Sequence, residues 1–156
     1  MQVARADRLR GACVGGAAAQ GAERPRAVLG HGIITVGKDD EDARADFEEG
    51  LSFAREYDGA ADGRVSTAVM PHSLTTVGEE YLREYLPDAR DLGVAVHFHA
   101  NETVDEVEPI VAERDERPLE YARDIGMTTT DDFAAHGVHV DDEEAALLAE
   151  TGTAAV

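Results

Sequence analysis

Gly93-Val94-Ala95-Val96-His97-Phe98-His99-Ala100-Asn101-Glu102 is a short apolar run that ends in two histidines and then a carboxylate. Val94 to His99 reads as a buried strand, because an unbroken run of apolar, β-branched and aromatic residues suits a pleated sheet. Residues two apart in a strand share a face, so His97 and His99 project together. Glu102 falls just past the strand end, where a loop can swing its carboxylate toward whatever His99 holds. A metal ligand beside an acid/base group is the chemistry that fits this spacing. The plainer reading is a core strand whose histidines are satisfied by their neighbours.

The segments on either side are helical, and the alternation continues outward. Thr76 followed by Glu79 has the form of a capping box, opening a helix with Tyr81, Leu82, Tyr85 and Leu86 that Pro87 should kink or end. Thr103 and Glu106 repeat the pattern ahead of Val104, Val107, Ile110 and Val111. Further upstream, Ala27 to Val36 reads as one apolar strand-like run, Asp39 to Tyr57 as a helix, and Arg64 to Met70 as a strand stopped by Pro71-His72-Ser73. Downstream, Pro118 opens a helix ending at Gly126, and Phe133 to Val138 reads as a short strand. Asp141 with Glu144 caps a last helix that Gly152 terminates, and Thr153 to Val156 begins another apolar run. Strands alternating with helices imply right-handed βαβ units and a parallel sheet. A doubly wound sheet and part of a (β/α)₈ barrel both fit. The lack of a glycine-rich loop after a strand disfavours a nucleotide-binding doubly wound fold.

Composition narrows the class. The 156 residues are enough for the core of one domain, and 43% hydrophobic content favours a globular fold. A lone cysteine, Cys13, rules out an internal disulfide framework and a cysteine-based zinc cluster. No apolar run is long enough to span a membrane and no signal segment opens the chain, so the expected location is the cytoplasm. The net charge is −19, with 33 acids against 14 basic residues. So acidic a surface repels nucleic acid and anionic lipid, and neither is expected as a partner. The acids are spread over helix faces rather than gathered in a tail, which reads as adaptation to high salt, where screening relieves the self-repulsion. Residues 1–26 differ: five arginines and two acids in an Ala/Gly-rich stretch without a period. The expected organisation is an atypical, disordered segment over 1–25 and one domain over 26–156.

All six histidines (His31, His72, His97, His99, His136 and His139) fall at or just after the C-terminal end of an expected strand. Parallel α/β folds build their sites at that edge, and such a row would line a barrel mouth with imidazoles. His31 lies between two glycines, which allow a close approach to a ligand. His136 and His139 lie three apart, so only one reaches the site if strand geometry stops at His136, and His136 is favoured.

Several of these segments together resemble a known family. Arg26-Ala27-Val28-Leu29-Gly30, Met70-Pro71-His72-Ser73, His97-Phe98-His99-Ala100-Asn101-Glu102-Thr103, Arg117-Pro118-Leu119-Glu120-Tyr121 and Ala135-His136-Gly137-Val138-His139-Val140-Asp141-Asp142-Glu143-Glu144 stand in the order seen in the amidohydrolase superfamily. The closest likeness is to its methylthioadenosine/S-adenosylhomocysteine deaminase branch. The resemblance implies a partial (β/α)₈ TIM barrel, about strands three to six and the start of seven. It also implies a divalent metal, usually Zn2+, at the C-terminal mouth, and hydrolysis of the exocyclic amine of adenine-type nucleosides. It assigns His99 as metal ligand, Glu102 as the group that contacts the purine and shuttles protons, His136 as the group that positions the attacking hydroxide, and His72 as a substrate contact.

The departures from the family pattern matter equally. Residues 1–26 hold no histidine, so the family's first-strand His-x-His metal pair is missing, and its strand-eight aspartate would lie beyond Val156. One of the four expected ligands is present, and a catalytic zinc needs about three. Lys38 lies in a loop, which excludes a carboxylated-lysine metal bridge on strand four. The expectation is a chain inactive alone, either a remnant, a half completed by another chain, or a non-catalytic piece that pairs with itself. Other amidohydrolase chemistries, of the chlorohydrolase or the guanine or cytosine deaminase type, remain alternatives.

Overall fold

In the computed structural model, which describes residues 26–156, the histidine-bearing strand lies at the centre of a parallel sheet. The boundary expected at residue 25, and the atypical segment before it, lie outside the described residues. The strands are β1 (Ala27–Leu29), β2 (Gly32–Ile33), β3 (Val65–Pro71), β4 (Ala95–Ala100), β5 (Phe133–His136) and β6 (Ala154–Ala155). Five longer helices connect them, α1 (Asp40–Tyr57), α2 (Glu79–Leu92), α3 (Val104–Arg114), α4 (Pro118–Asp124) and α5 (Asp142–Thr151), with one short helical turn at Ala60–Gly63 before β3. The sheet order is β1-β3-β4-β5-β6, with β2 also paired to β3, and every pairing is parallel.

That order decides between the two architectures. A doubly wound sheet reverses its strand order at a switch point, whereas here each strand is added beside the last in one direction. The sheet is therefore a segment of a (β/α)₈ barrel wall. Right-handed crossovers wound one way place the helices on one face, leaving the other as the barrel interior. Burial agrees: Val96, Phe98 and Ala100 of β4 join Phe47, Leu51, Leu82, Leu86 and Leu119 in one core cluster, while His97 and His99 alternate to the other face. Each large apolar side chain buried there is worth about 1.5–3 kcal/mol. The helix layer, not the histidine face, holds the sheet together.

The sequence-based elements differ from the structure at four places. The run 27–36 is two short strands broken at Gly30-His31. Gly30 passes so close to β3 that a Cβ there would overlap the Ala68 carbonyl oxygen and lie 2.8 Å from Met70 Cγ. The Thr76–Glu79 capping box does not form. Helix α2 starts at Glu79 with Gly78 as its N-cap, and the Gly78 N–H donates to Thr35 Oγ1 at 2.8 Å. Pro87 does not end that helix, which runs on to Leu92. Strand β5 stops at His136 rather than Val138.

At the opposite end of β4 and β5, Asp132 forms a buried knot that the sequence pattern did not single out. Its carboxylate accepts two hydrogen bonds from Arg90, at 2.7 Å each, and others from Val96 N, Thr129 N and Thr129 Oγ1. This fixes the β4–β5 register from below, so their upper ends meet in a defined geometry. Among the described residues no helix is long and apolar enough to cross a membrane.

Candidate metal centre at the β4–β5 corner

His99 pairs with Ala135 in the β4–β5 register, and His136 pairs with Ala100. Strict alternation would turn His136 toward the helices. Its backbone instead adopts φ 78°, a left-handed conformation uncommon outside glycine, and Gly137 follows at φ 59°. This reversal brings the His136 ring over the barrel mouth. Its Nε2 lies 3.3 Å from His99 Nδ1 and 3.4 Å from a Glu102 carboxylate oxygen. One donor atom from each of His99, Glu102 and His136 falls within 4.8 Å of the others.

Glu102 arrives by a similar turn. Asn101, buried, has φ 57°, which lifts the chain out of β4. The Glu102 N–H then donates to Glu106 Oε2 at 2.9 Å, while the Glu106 N–H donates to Thr103 Oγ1 at 3.2 Å. Only half of the expected Thr103–Glu106 box forms: Thr103 caps the helix, while the Glu106 carboxylate bonds the Glu102 N–H instead of the Thr103 N–H. Burial pushes the Glu106 carboxyl above the usual carboxylate range, and the neighbouring Glu102 charge adds to the shift.

A second layer ties the two loops together. Asn101 Nδ2 donates to Glu144 Oε2 at 2.8 Å and to the His139 carbonyl at 3.3 Å, and the His139 N–H donates to the Asn101 carbonyl at 2.9 Å. Glu144, fully buried, also accepts from Arg117 Nε and from the Leu119 N–H, both at 2.9 Å. The loop after His136 and the loop carrying Glu102 are therefore clamped through one carboxylate.

The imidazoles form a connected row. The rings of His72 and His99 are 4.7 Å apart, those of His99 and His136 meet edge-on at 4.8 Å, and His97 and His99 lie 5.7 Å apart. His97 stacks on Phe133 at 4.4 Å, and its Nδ1 is 3.1 Å from the Phe133 carbonyl, so it is a wall residue. Burial lowers the pKa of both His97 and His99, and the other imidazoles add to the effect on His99. A neutral His99 is the form that ligates a metal. Two of the six histidines leave the row. His31 Nε2 turns to Asp46 of α1 at 3.5 Å, and His139 engages the clamp through its backbone. His72, Ser73, Thr76, His99, Glu102 and Glu106 line a cleft of about 280 Å³.

The donor set fits a divalent metal. Two imidazole nitrogens and a carboxylate oxygen suit zinc, and a tetrahedral ion with ligands at about 2.0–2.1 Å separates them by about 3.3–3.4 Å. Both measured edges at His136 match that spacing. The sequence singles out His99 as a ligand, Glu102 and His136 as catalytic groups and His72 as a substrate contact, but not the residues that aim them. Asn101 carried a usable signal, since asparagine tolerates the left-handed turn that a strand exit needs. Glu144 was visible only as a helix cap.

Residues 12–155 match the model of the amidohydrolase family. A 5-methylthioadenosine/S-adenosylhomocysteine deaminase of Natronomonas pharaonis is 66% identical over 127 residues, covering 81% of this chain and 30% of that protein. One of the same name from Halobacterium salinarum is 64% identical over 131 residues, 84% of this chain and 30% of the relative. The chain thus spans about 30% of the length of the curated relatives it matches. Among solved structures, an adenosine deaminase of Xanthomonas campestris with bound zinc superposes with a TM-score of 0.69 at 28% identity, over 83% of this chain and 29% of the other.

Proposed function

The chain belongs to the amidohydrolase family, and on that premise we propose that it supplies the metal-binding and proton-handling corner of a deaminase acting on adenine-type nucleosides. The observation that carries this reading is the convergence of His99, Glu102 and His136 from two adjacent strands onto donor positions within 4.8 Å. The names of the relatives support the substrate class, methylthioadenosine, S-adenosylhomocysteine or adenosine. The reaction exchanges the exocyclic amine for an oxygen, consuming water and releasing ammonia.

His99 would hold the metal through Nδ1, with His136 and Glu102 in reach of the same ion. Zinc, when bound, lowers the pKa of water to about 7 and so supplies a nucleophile at neutral pH. The Glu102 carboxylate, open to the cleft, would take a proton from the attacking water and deliver it to a ring nitrogen. His136 Nε2 stands 3.4 Å from Glu102, close enough to steady the transferring proton and the charge that develops beside it. His72 lines the same cleft just past the end of β3 and would orient the substrate. The remaining ligands of a complete site would come from barrel strands outside these residues.

Zinc titration calorimetry in concentrated KCl, paired with an ammonia-release assay on methylthioadenosine, tests the proposal. Wild type is expected to bind one zinc, with at least a tenfold loss in His99→Ala. Ammonia release is expected only when the remaining barrel strands are supplied, and not with Glu102→Gln. Absence of zinc binding, or an unchanged affinity in His99→Ala, would refute the reading. We further read the acidic surface as high-salt adaptation of a cytoplasmic protein. Exposed Asp40, Glu41 and Asp42 in the first turn of α1 support it, and unfolding on transfer to low salt is its expected sign.

A further inference from the structure

Thr76 does not cap its helix, and its hydroxyl goes elsewhere. Thr76 Oγ1 lies 2.9 Å from His72 Nδ1 and 2.9 Å from Ser73 Oγ, and Ser73 Oγ lies 3.1 Å from Thr75 Oγ1. Three hydroxyls thus stand in file, ending on an imidazole. The backbone around them is fixed: the Thr76 carbonyl accepts from the Thr35 and Val36 N–H groups, and the His72 carbonyl accepts from the His99 N–H at 2.8 Å. His72 Nε2 has no hydrogen-bond partner among the described residues, and the ring lines the cleft beside His99.

Each hydroxyl carries one proton, so the file has two self-consistent orders. In one, Thr75 donates to Ser73, Ser73 to Thr76, and Thr76 to His72 Nδ1, which places the ring proton on Nε2. In the other every bond reverses, and Nε2 shows the cleft a bare lone pair. Which nitrogen is protonated is set by the bond the other one makes. An imidazole nitrogen is far more basic than a hydroxyl oxygen, so O–H donating to Nδ1 is the stronger arrangement. The exposed Thr75 at the far end takes its remaining bond from water in either case.

We propose that Thr76, backed by Ser73, is a positioning residue that holds His72 as the Nε2–H tautomer. His72 then offers the cleft an N–H donor, and the site favours a ligand with an acceptor at that point, such as a ring nitrogen or a hydroxyl oxygen. The choice of ligand rests on the deaminase reading; the tautomer belongs to this chain alone.

The test is a long-range ¹H–¹⁵N correlation spectrum of the ¹⁵N-histidine-labelled chain, metal-free and at alkaline pH, with His72 assigned by its loss in His72→Gln. Wild type is expected to show the Nε2–H pattern at His72. Thr76→Val, which keeps the shape and removes the hydroxyl, is expected to shift His72 toward a mixture of tautomers, and Thr76→Ser to restore the pattern. Ser73→Ala cuts the file one link back, with a smaller shift in the same direction, and serves if Thr76→Val fails to fold. A purely structural Thr76 would lower the melting temperature and leave the pattern alone. An Nδ1–H pattern in wild type, or a pattern unchanged in both Thr76→Val and Ser73→Ala, overturns the proposal. Zinc added afterwards to the same sample separates the readings, since failure to bind with an intact tautomer counts against the deaminase assignment only.

Discussion

Removing the Glu144 carboxylate by Glu144→Ala should strike stability and site geometry together, and the structure sets the size. The side chain is fully buried and accepts from Asn101 Nδ2 at 2.8 Å and from Arg117 Nε and the Leu119 N–H at 2.9 Å. In the alanine variant the Asn101 side chain keeps only its longer 3.3 Å bond to the His139 carbonyl, and the Leu119 amide is left without a partner. Each such loss costs about 1–3 kcal/mol. Arg117 fares better: it is part-exposed and still bonds Asp141 at 2.7 Å and the His139 carbonyl at 2.6 Å. The full penalty of about 3–5 kcal/mol for a stranded buried charge therefore does not apply. The expected total is about 2–5 kcal/mol. Glu144→Gln keeps one acceptor oxygen and should cost less than the alanine variant, with Glu143→Ala on the exposed side of the same turn as the near-neutral control. Urea unfolding followed by far-UV circular dichroism at fixed KCl is the assay, since the chain has no tryptophan. The denaturant slope should stay constant, so the shift reads stability alone. A Glu144→Ala variant within about 0.5 kcal/mol of wild type, the range of ordinary surface substitutions, would show that the carboxylate does not organise the two loops.

Acid should act on this protein before its carboxylates titrate. Burial lowers the pKa values of His97 and His99 from the ordinary 6.5, so the unfolded chain binds their protons first. Their contribution is complete above about pH 6.5 and is lost as pH falls through the lower folded values. Unfolding midpoints should drop between pH 7 and 5.5, and His97→Gln should flatten that slope; an unchanged slope would remove burial as the cause. Gly30→Ala should destabilise by about 1–3 kcal/mol, because the new methyl meets the Ala68 backbone, which cannot rotate away. Denaturation compared with Gly63→Ala, where nothing lies within 4 Å but φ is 74°, separates collision from backbone strain. Arg90→Ala should leave Asp132 fully buried with three of its five hydrogen bonds, costing about 3–5 kcal/mol in the same denaturation assay. A loss below about 1 kcal/mol would mean the knot does not fix the register.

The alternation of apolar runs with helical periods made the element order legible, because it follows from two periodicities that the chain cannot hide. The winding was not legible. Nothing in a local pattern says whether a new strand joins one edge of a sheet or the other, and only the observed pairing of β3 with β4 and β4 with β5 settles it. At the candidate site, residue type exposed His99 and Glu102, since a histidine two places from another and three from a glutamate suits a metal ligand beside an acid/base group. Orientation stayed hidden wherever it depended on a partner distant in sequence. Thr76 has the spacing of a helix cap, but Gly78 is the N-cap, its N–H held by Thr35 43 residues away, and the Thr76 hydroxyl turns to His72. Likewise His136 aims at His99 only because the residues after it hang on Ala100 and Asn101.

That last dependence explains how a chain covering about 30% of its relatives can present an ordered corner of a site. In a barrel wall each strand contacts only its neighbours, so the geometry of His99, Glu102 and His136 is a property of β4, β5 and their two loops. The Asp132 knot fixes the register from below, and the Asn101–Glu144–Arg117 clamp fixes the loops from above. Neither draws on any strand outside the described sheet. Metal affinity is different, because it grows with the number of ligands gathered around one ion, and such gathering takes the whole circumference. Local order and weak metal binding are therefore expected together. Variants of Glu144 and Asn101 should lower zinc affinity through geometry, while His99→Ala lowers it through loss of a ligand. Supplying the remaining barrel strands should recover affinity in the first group and only in part in the second.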